Sequence, residues 1–270
     1  MMSIMDTIGR REFLFYVSAG DGPAVILIHG ISQALTDWYA LSPQLVTNGY
    51  RAIAVDLLGH GDSPKPKNPE LYTTRTVYGT LESWIDALKL DEPFYLVGHS
   101  LGGYMSLTYA HRHPNNVRAM VLINPLYSLT QLKGLLNIFM PLDGLGAKIL
   151  KSTPQWIVNS FLAKSDSFTT MLPPKARKMY ARNVKRASPY FLLIPKSAPD
   201  LTPELDEITP PTMVIYGVHD YIEDPMSFPN LVSGLPNAIA RPMTGCGHQP
   251  HHNKPEVVNQ MIVNFFNRYR

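Results

Sequence analysis

Short, continuous runs of apolar residues recur along the first half of the chain, and segments with helical spacing separate them. Runs of this length, bounded by glycine and proline, are typical of strands buried on both faces. Because strand and helix alternate, we expect parallel strands joined by right-handed crossovers. The predicted strands are 12–17, 24–28, 50–55, 94–97 and 117–123, and the predicted helices are 36–46, 74–88 and 101–111.

This alternation stops after the fifth strand and resumes near residue 210. Between 125 and 210 no run has the pattern of a buried strand, and the segment is rich in Leu, Met, Phe, Trp and Pro. Helical spacing recurs there at 147–151, 154–162 and 175–186; further on, strands are predicted at 212–216 and 238–243, and helices at 227–235 and 256–270. We therefore predict an α/β fold with a mostly parallel central sheet flanked by helices. Its core is 1–125 and 210–270, with a helical cap, or lid, at 126–209.

Composition and charge exclude only a few classes of function. The 270 residues are 45% hydrophobic and 17% charged, with a formal net charge of +3. The basic residues are scattered, so we expect no nucleic-acid partner. The single cysteine, Cys246, excludes an internal disulfide framework. We expect a cytoplasmic protein with no membrane span, because residues 1–10 lack the features of a signal peptide and no apolar run reaches about 18 residues.

The sequence Gly-His-Ser-Leu-Gly at 98–102 matches the pattern G-x-S-x-G, and it lies between a predicted strand and a predicted helix. In that context Ser100 occupies a sharp turn that pushes its hydroxyl out of the sheet edge, where bulkier neighbours than glycine would clash. The N-terminus of the following helix favours developing negative charge. We expect Ser100 to be a nucleophile and the N–H of Leu101 to donate to an oxyanion.

The loop after the second predicted strand supplies a candidate for the other oxyanion donor. His29-Gly30-Ile31 follows the strand at 24–28, and we expect the N–H of Ile31 to point at the oxyanion. Two such donors lower the barrier by several kcal/mol. We expect His29 itself to hold the loop through a hydrogen bond.

Five stretches of the chain resemble the α/β-hydrolase superfamily, in particular its lidded hydrolases of small molecules. They occur in the order that the family shows and span nearly the whole predicted core. The stretches are HG at 29–30, GYRAIAVDLLGHGDSPKP at 49–66, GHSLGG at 98–103, YGVHD at 216–220 and GCGH at 245–248. The predicted cap matches no family signature.

The resemblance places the general base at His248, which follows a strand and a glycine loop and precedes the last helix. His251 and His252 are alternatives that we expect to be exposed polar residues. Of the other histidines, His111 and His113 end a helix, where histidine commonly interacts with the helix dipole.

The same resemblance places the acid at Asp220, after the strand at 212–216, where it orients the imidazole and stabilises its cation. Glu223 and Asp224 are the alternatives for the acid. Asp56 follows another strand, and we expect it to structure its own loop.

Serine at the turn favours an acyl intermediate and argues against dehalogenase or epoxide hydrolase chemistry, which the same fold carries out with a carboxylate nucleophile. We therefore expect hydrolysis of carboxylic esters, without a cofactor, on a small-molecule substrate with an apolar part. Apolar cap residues are candidates for the walls of its pocket: Leu135, Leu136, Ile138, Phe139, Met140, Trp156, Phe161 and Phe168.

Several alternatives stay open. Carbon–carbon bond hydrolases share this organisation, but they carry a tryptophan after the catalytic histidine, where this chain has Gln249. Lactone hydrolysis and perhydrolase activity also fit the predicted residues. A non-catalytic ligand receptor built on this fold can keep Ser100, His248 and Asp220 as well. The run His-x-x-His-His at 248–252 has metal-ligand spacing, but His248 is the candidate base, so we expect no metal site. Cys246 lacks a matching turn and is interpreted as a small residue beside the base loop.

Overall fold

The computed structural model describes residues 7–10, 14–132, 154 and 172–270. Its centre is an eight-stranded sheet with the order β1-β2-β4-β3-β5-β6-β7-β8. The strands are β1 (Thr7–Arg10), β2 (Phe15–Ala19), β3 (Ala24–Ile28), β4 (Arg51–Val55), β5 (Phe94–Ser100), β6 (Val117–Pro125), β7 (Thr212–Gly217) and β8 (Ala238–Met243).

The sheet is parallel from β4 to β8 and antiparallel at its first edge. β1 and β2 pair antiparallel with each other, and β2 pairs antiparallel with β4. The pairs β4–β3, β3–β5, β5–β6, β6–β7 and β7–β8 are all parallel. The carboxyl ends of these parallel strands therefore share one edge, which is where open α/β sheets bind ligands.

Helices cover both faces of the sheet because its central strands are apolar on both faces. Side chains such as Ile26 and Leu96 pack with α2, α3 and α6 on one face. Their sequence neighbours, such as Val25 and Val97, pack with α1 and α8 on the other. The helices of the described chain are α1 (Leu41–Thr47), α2 (Thr74–Leu88), α3 (Leu101–Arg112), α4 (Pro174–Arg186), α5 (Leu193–Lys196), α6 (Ser227–Gly234), α7 (Pro250–Asn253) and α8 (Pro255–Phe266).

The predicted fold class is confirmed, and most predicted elements lie within two residues of the observed ones. The predicted helix at 36–46 is an exception, because a 3₁₀ turn (Leu35–Trp38) precedes the shorter α1. Pro43 gives the reason. Proline has no N–H and is tolerated only in the first turn of a helix, so α1 begins shortly before it.

Between β6 and β7 the described residues contain helices and turns but no strand. The predicted helix at 175–186 is observed as α4. The predicted helices at 147–151 and 154–162 and the apolar cap residues named above lie outside the described residues, Pro154 apart. Among the helices that are described, none has the length and apolar character needed to cross a bilayer.

Glycine allows three backbones to approach closely where β5 turns into α3. A Cβ at Gly98 would overlap the carbonyl oxygen of Gly102, and a Cβ at Gly102 would overlap that of Ile28 at the end of β3. The helix thus starts against two neighbouring strands. This contact fixes the turn between β5 and α3, because neither β3 nor β5 can shift without losing its pairing with the neighbouring strands.

Replacement of Gly102 by alanine should therefore lower the free energy of unfolding by about 3 kcal/mol, since a methyl group there forces backbone apart. Gly79→Ala is the matched control. Gly79 lies inside α2 with no atom near its Cβ position, and alanine there should stabilise the protein by about 0.5–1 kcal/mol. Urea denaturation measures both changes, and equal stabilities for the two variants would contradict the prediction.

Candidate active site

Ser100 sits on a strained turn between β5 and α3. Its backbone angles are φ 51° and ψ −114°, outside the regions that L-residues normally adopt. Such a conformation costs about 1–3 kcal/mol and persists only where its surroundings enforce it. Here the β5–α3 turn enforces it, and the Ser100 carbonyl accepts a hydrogen bond from the Leu126 N–H at 3.1 Å. The turn therefore presents the serine at the carboxyl edge of the sheet.

His248 and Asp220 come together at the same edge. The Nδ1 of His248 donates to Oδ2 of Asp220 at 2.8 Å. The acid follows β7 and the histidine follows β8, so neighbouring parallel strands bring the two loops together. A carboxylate only accepts, so the Nδ1–H tautomer is fixed and the neutral ring keeps Nε2 free for a proton.

Asp220 is held ionised by the donors around it. Oδ2 also accepts from Nδ2 of Asn124 at 2.6 Å, and Oδ1 accepts from the N–H groups of Ile222 and Glu223 at 2.7 and 3.2 Å. Burial alone would raise the pKa of Asp220, but the His248 cation and these hydrogen bonds lower it. In turn, burial opposes a charge on His248, yet the Asp220 charge and hydrogen bond raise the pKa of His248 to about 9.

The loop after β3 approaches Ser100 closely. A Cβ at Gly30 would lie 3.2 Å from the Cβ of Ser100. His29 holds this loop, because its Nδ1 donates to the Gly30 carbonyl at 2.7 Å and its Nε2 accepts from the Leu57 N–H at 3.0 Å. Burial lowers the pKa of His29 and keeps the ring neutral. The N–H of Ile31 follows Gly30 directly, beside the serine.

Leu101 is the first residue of α3. Its N–H is one of the groups at a helix N-terminus that have no partner within the helix. Ile31 thus follows the residue that lies against Ser100, and Leu101 follows Ser100 itself. Two backbone N–H groups in that position can receive an oxyanion formed at the serine.

Asp56 structures its own loop and takes no part in the His248–Asp220 pair. Its Oδ1 accepts from the Leu35 N–H at 2.6 Å, and its Oδ2 accepts from the Asp62 N–H at 2.7 Å. These bonds tie the loop after β4 to the segment that follows Gly30. This agrees with the role expected for Asp56 from the sequence.

Three histidines surround a buried carboxylate, Asp37, behind the serine. Nε2 of His252 donates to Oδ1 at 2.6 Å, and Nε2 of His251 donates to Oδ2 at 3.3 Å. Nδ1 of His99 lies 3.5 Å from the same Oδ2. Burial would raise the pKa of Asp37, but the histidines lower it well below its usual value. Burial lowers the pKa of His251 to about 3 and also lowers that of His99.

The expectation that His251 and His252 are exposed is wrong, because both are buried. Their sequence is polar, but Asp37 supplies an acceptor inside the protein, and each ring also contacts an aromatic side chain. His251 stacks on Trp38 and His252 on Tyr39, with centroids 5.4 and 5.8 Å apart. The short helix α7, which follows the candidate base, is thereby anchored to the 3₁₀ turn after β3.

His99 joins this cluster to the base loop. Its Nε2 donates to the backbone carbonyl of His248 at 3.0 Å. His99 is the residue before Ser100, so one imidazole contacts both the buried Asp37 and the backbone of the candidate base. The residue x in G-x-S-x-G thus positions the base loop, a role that the motif does not reveal.

Two further residues at the site were missed or misassigned in the sequence analysis. Asn124, at the end of β6, bridges the acid loop, because its Oδ1 also accepts from the Gly217 N–H at 3.2 Å. No motif in the sequence predicted the positive φ of 40° that Asn124 adopts. Glu223 was an alternative for the acid, but Asp220 takes the His248 Nδ1–H. Glu223 instead lies buried, and a carboxyl oxygen of Glu223 lies within 4.8 Å of donor atoms of Asp220 and His248.

Two groups of side chains in the described residues have donor atoms close enough for a metal ion: Asp37 with His99 and His251, and Asp220 with Glu223 and His248. In both groups a histidine N–H already donates to the carboxylate. Cys246 is buried, and burial raises the pKa of its thiol, so the nucleophilic thiolate is disfavoured.

Residues 23–255 match the family model described as alpha/beta hydrolase fold. The chain belongs to the α/β hydrolase fold family. It is a hydrolase, as the fold and the relatives in this family indicate, and the family resemblance found in the sequence is confirmed.

Among curated relatives, a 2-hydroxy-6-oxononadienedioate/2-hydroxy-6-oxononatrienedioate hydrolase from Paraburkholderia xenovorans (strain LB400) is 27% identical over 267 residues, covering 93% of this chain and 90% of that enzyme. Epoxide hydrolase 2 from Siraitia grosvenorii is 40% identical over 107 residues, which are 38% of this chain and only 33% of that enzyme. Among solved structures, a thermophilic esterase from Thermogutta terrifontis superposes with a TM-score of 0.79 at 22% identity, over 95% of this chain and 93% of that one.

Replacement of Asp37 by alanine should lower the free energy of unfolding by about 2–4 kcal/mol, because buried N–H groups of His251 and His252 lose their acceptor. Urea denaturation measures the loss. Asp86→Ala removes an exposed carboxylate on α2 and should change stability by no more than about 0.5 kcal/mol. If Asp37→Ala is as stable as Asp86→Ala, the cluster does not hold the loops together.

Proposed function

We propose that the protein hydrolyses carboxylic esters through an acyl-enzyme intermediate formed on Ser100. In this proposal His248 is the general base, Asp220 orients it, and the N–H groups of Ile31 and Leu101 stabilise the oxyanion. The observation that carries the proposal is the strained Ser100 turn together with the part-buried His248–Asp220 pair at the same sheet edge. The strain and the burial both cost stability, which is typical of functional sites.

The reaction follows from the tautomer of His248. Nε2 takes the Ser100 proton as Oγ attacks the ester carbonyl, and the two N–H groups receive the negative charge that develops on the carbonyl oxygen. The imidazolium then gives its proton to the departing alcohol, leaving an acyl group on Oγ. A water molecule loses a proton to His248 and attacks the acyl carbon, and the proton returns to Oγ as the acid leaves.

Residues 126–209 are proposed to form a cap over this site. Two contacts of α4 support the proposal, since Tyr180 lies 3.3 Å from the Ser32 hydroxyl and Nδ2 of Asn183 donates to Thr36 at 3.0 Å. Both partners lie in the segment that follows Gly30. A cap anchored there would exclude water and form one wall of the substrate pocket.

Carbon–carbon bond hydrolysis is the second candidate function. Five of the curated relatives are named as hydrolases of 2-hydroxy-6-oxo dienoate or trienoate compounds and align with 93–98% of this chain, among them a 2-hydroxy-6-oxo-6-phenylhexa-2,4-dienoate hydrolase from Burkholderia cepacia that is 28% identical. Gln249 at the position after the base disfavours it. The test offers that dienoate and p-nitrophenyl esters in parallel. A kcat/KM about tenfold or more in favour of the dienoate would replace the ester assignment.

The proposed nucleophile predicts two outcomes for Ser100→Ala. Wild-type protein should release nitrophenol from short and medium p-nitrophenyl esters and react with a fluorophosphonate probe. Ser100→Ala should lose the labelling and reduce turnover by about 10³-fold or more. Ser42→Ala, on α1, is the control and should behave as wild type. Labelling that survives in Ser100→Ala would assign the nucleophile elsewhere.

The raised pKa of His248 predicts a displaced acid limb. A protonated base cannot activate Ser100, so activity is present above the His248 pKa and falls as the pH drops through it. Because Asp220 raises this pKa towards about 9, the midpoint of kcat/KM should lie above about 6.5, the ordinary histidine value.

Asp220→Asn tests the cause of this displacement. It should move the midpoint of the acid limb to lower pH, since the charge that stabilises the imidazolium is gone. It should also slow turnover by about 10⁴-fold, since the tautomer is no longer fixed. An acid limb that stays in place in Asp220→Asn would assign the titration to another group.

A further inference from the structure

Glu223, near the serine, combines a buried carboxyl with a carboxyl oxygen that lacks a hydrogen-bond partner among the described residues. It is buried, with 1% of its surface exposed, and its Oε2 has no hydrogen-bond partner among the described residues. The Ser100 hydroxyl is among the groups that lower the pKa of this carboxyl. Donor atoms of Glu223, Asp220 and His248 all lie within 4.8 Å of one another. A second carboxyl therefore borders the proposed nucleophile and base.

The backbone explains why this side chain points inward. The N–H groups of Ile222 and Glu223 both donate to Oδ1 of Asp220, so the chain turns around the acid. Glu223 then pairs with Leu132 in an isolated antiparallel bridge. The turn and the bridge fix the backbone of Glu223, and its side chain is buried beside the acid.

The hydrogen bonds decide which carboxyl keeps its proton. Asp220 accepts bonds from His248, Asn124 and two backbone N–H groups. Among the described residues, Oε2 of Glu223 has no hydrogen-bond partner, and the Ser100 hydroxyl is the one hydrogen-bonding group that lowers the pKa of this carboxyl. Two buried carboxyls this close do not both ionise readily, and the group with fewer donors stays neutral. Burial and the Asp220 charge accordingly raise the pKa of Glu223 well above its usual value, although His248 and Ser100 act against them.

We propose that Glu223 is a further catalytic residue of this site, a neutral carboxylic acid that donates a hydrogen bond to the oxygen of Ser100. This inference rests on the proposed serine hydrolase function. The acid keeps its proton throughout the cycle, so no bond forms or breaks at Glu223. Its hydrogen bond is strongest when Oγ carries developing negative charge, as it does when the acyl-enzyme intermediate releases Ser100.

An ionised Glu223 would act in the opposite sense. A carboxylate beside Ser100 would accept the hydroxyl proton in competition with His248 and would repel the developing oxyanion. Activity should therefore fall on the alkaline side as Glu223 ionises. In the described part of the chain, the titratable groups whose charges interact with Glu223 are His248, Asp220 and Tyr127. Burial raises the pKa of Tyr127, so the tyrosine ionises only above its ordinary value of about 10.

The experiment compares the pH dependence of kcat and kcat/KM in wild type, Glu223→Gln and Glu223→Met. Glutamine keeps a donor and cannot ionise. It should retain activity near neutral pH and the acid limb of wild type, but lose the alkaline limb. Methionine has similar length and no donor, and it should lower kcat by about 10–100-fold. Glu92→Gln, an exposed carboxyl paired with Arg118 on the surface, is the control and should keep both limbs.

A readout that needs no turnover separates this proposal from the proposed function. In protein with ¹³C-labelled glutamate side chains, the Glu223 carboxyl signal, assigned as the one missing in Glu223→Gln, should titrate well above the ordinary glutamate value of about 4.3. That result with no ester turnover would leave the neutral acid in place and refute the ester function.

Any one of the following results would overturn the proposal. They are a Glu223 signal that titrates near its ordinary value, an alkaline limb that persists in Glu223→Gln, and a folded Glu223→Met variant with wild-type kcat. If Glu223→Met does not fold, the glutamine variant and the carboxyl titration still decide the question. An acid limb displaced to lower pH in Glu223→Gln would show that Glu223 is ionised in the wild type, which also contradicts the proposal.

Discussion

The close contact between the start of α3 and the ends of β3 and β5 is the constraint on which the rest of the structure depends. Gly98 and Gly102 leave no space for side chains there, so the backbone turns sharply and Ser100 takes a positive φ. Every other feature of the candidate site is defined relative to this turn. The strain in Ser100 is sustained because strand pairing on both sides of β5 would have to break before it could relax.

Around the turn, buried polar groups hold the loops in addition to apolar packing. Asp37 connects the 3₁₀ turn after β3 with α7, and His99 connects the serine turn with the backbone of His248. A buried carboxylate with several hydrogen-bond donors adds rigidity to these loops beyond what their apolar contacts supply. Such a network fixes geometry because leaving one of its members unpaired is costly.

The sequence predicted most of the fold because strands buried on both faces appear as continuous apolar runs and amphipathic helices appear as a helical period. β3, α2 and β8 have the predicted bounds. The motif at 98–102 and the family resemblance likewise led to the paired His248 and Asp220. Burial of His251 and His252 was not predictable, because it depends on Asp37, more than two hundred residues away. Periodicity carries no information on partners that distant in sequence.

The position of Glu223 was likewise not predictable from periodicity. This residue links the acid loop with the segment that follows β6. Its side chain lies at the serine, while its backbone pairs with Leu132, near the start of the proposed cap at 126–209. A displacement of that segment would therefore act on the acid loop through the bridge, and on Asp220 through the turn that both residues share. The proposed catalytic residues and the start of the proposed cap thus meet at one short turn, where Glu223 pairs with Leu132.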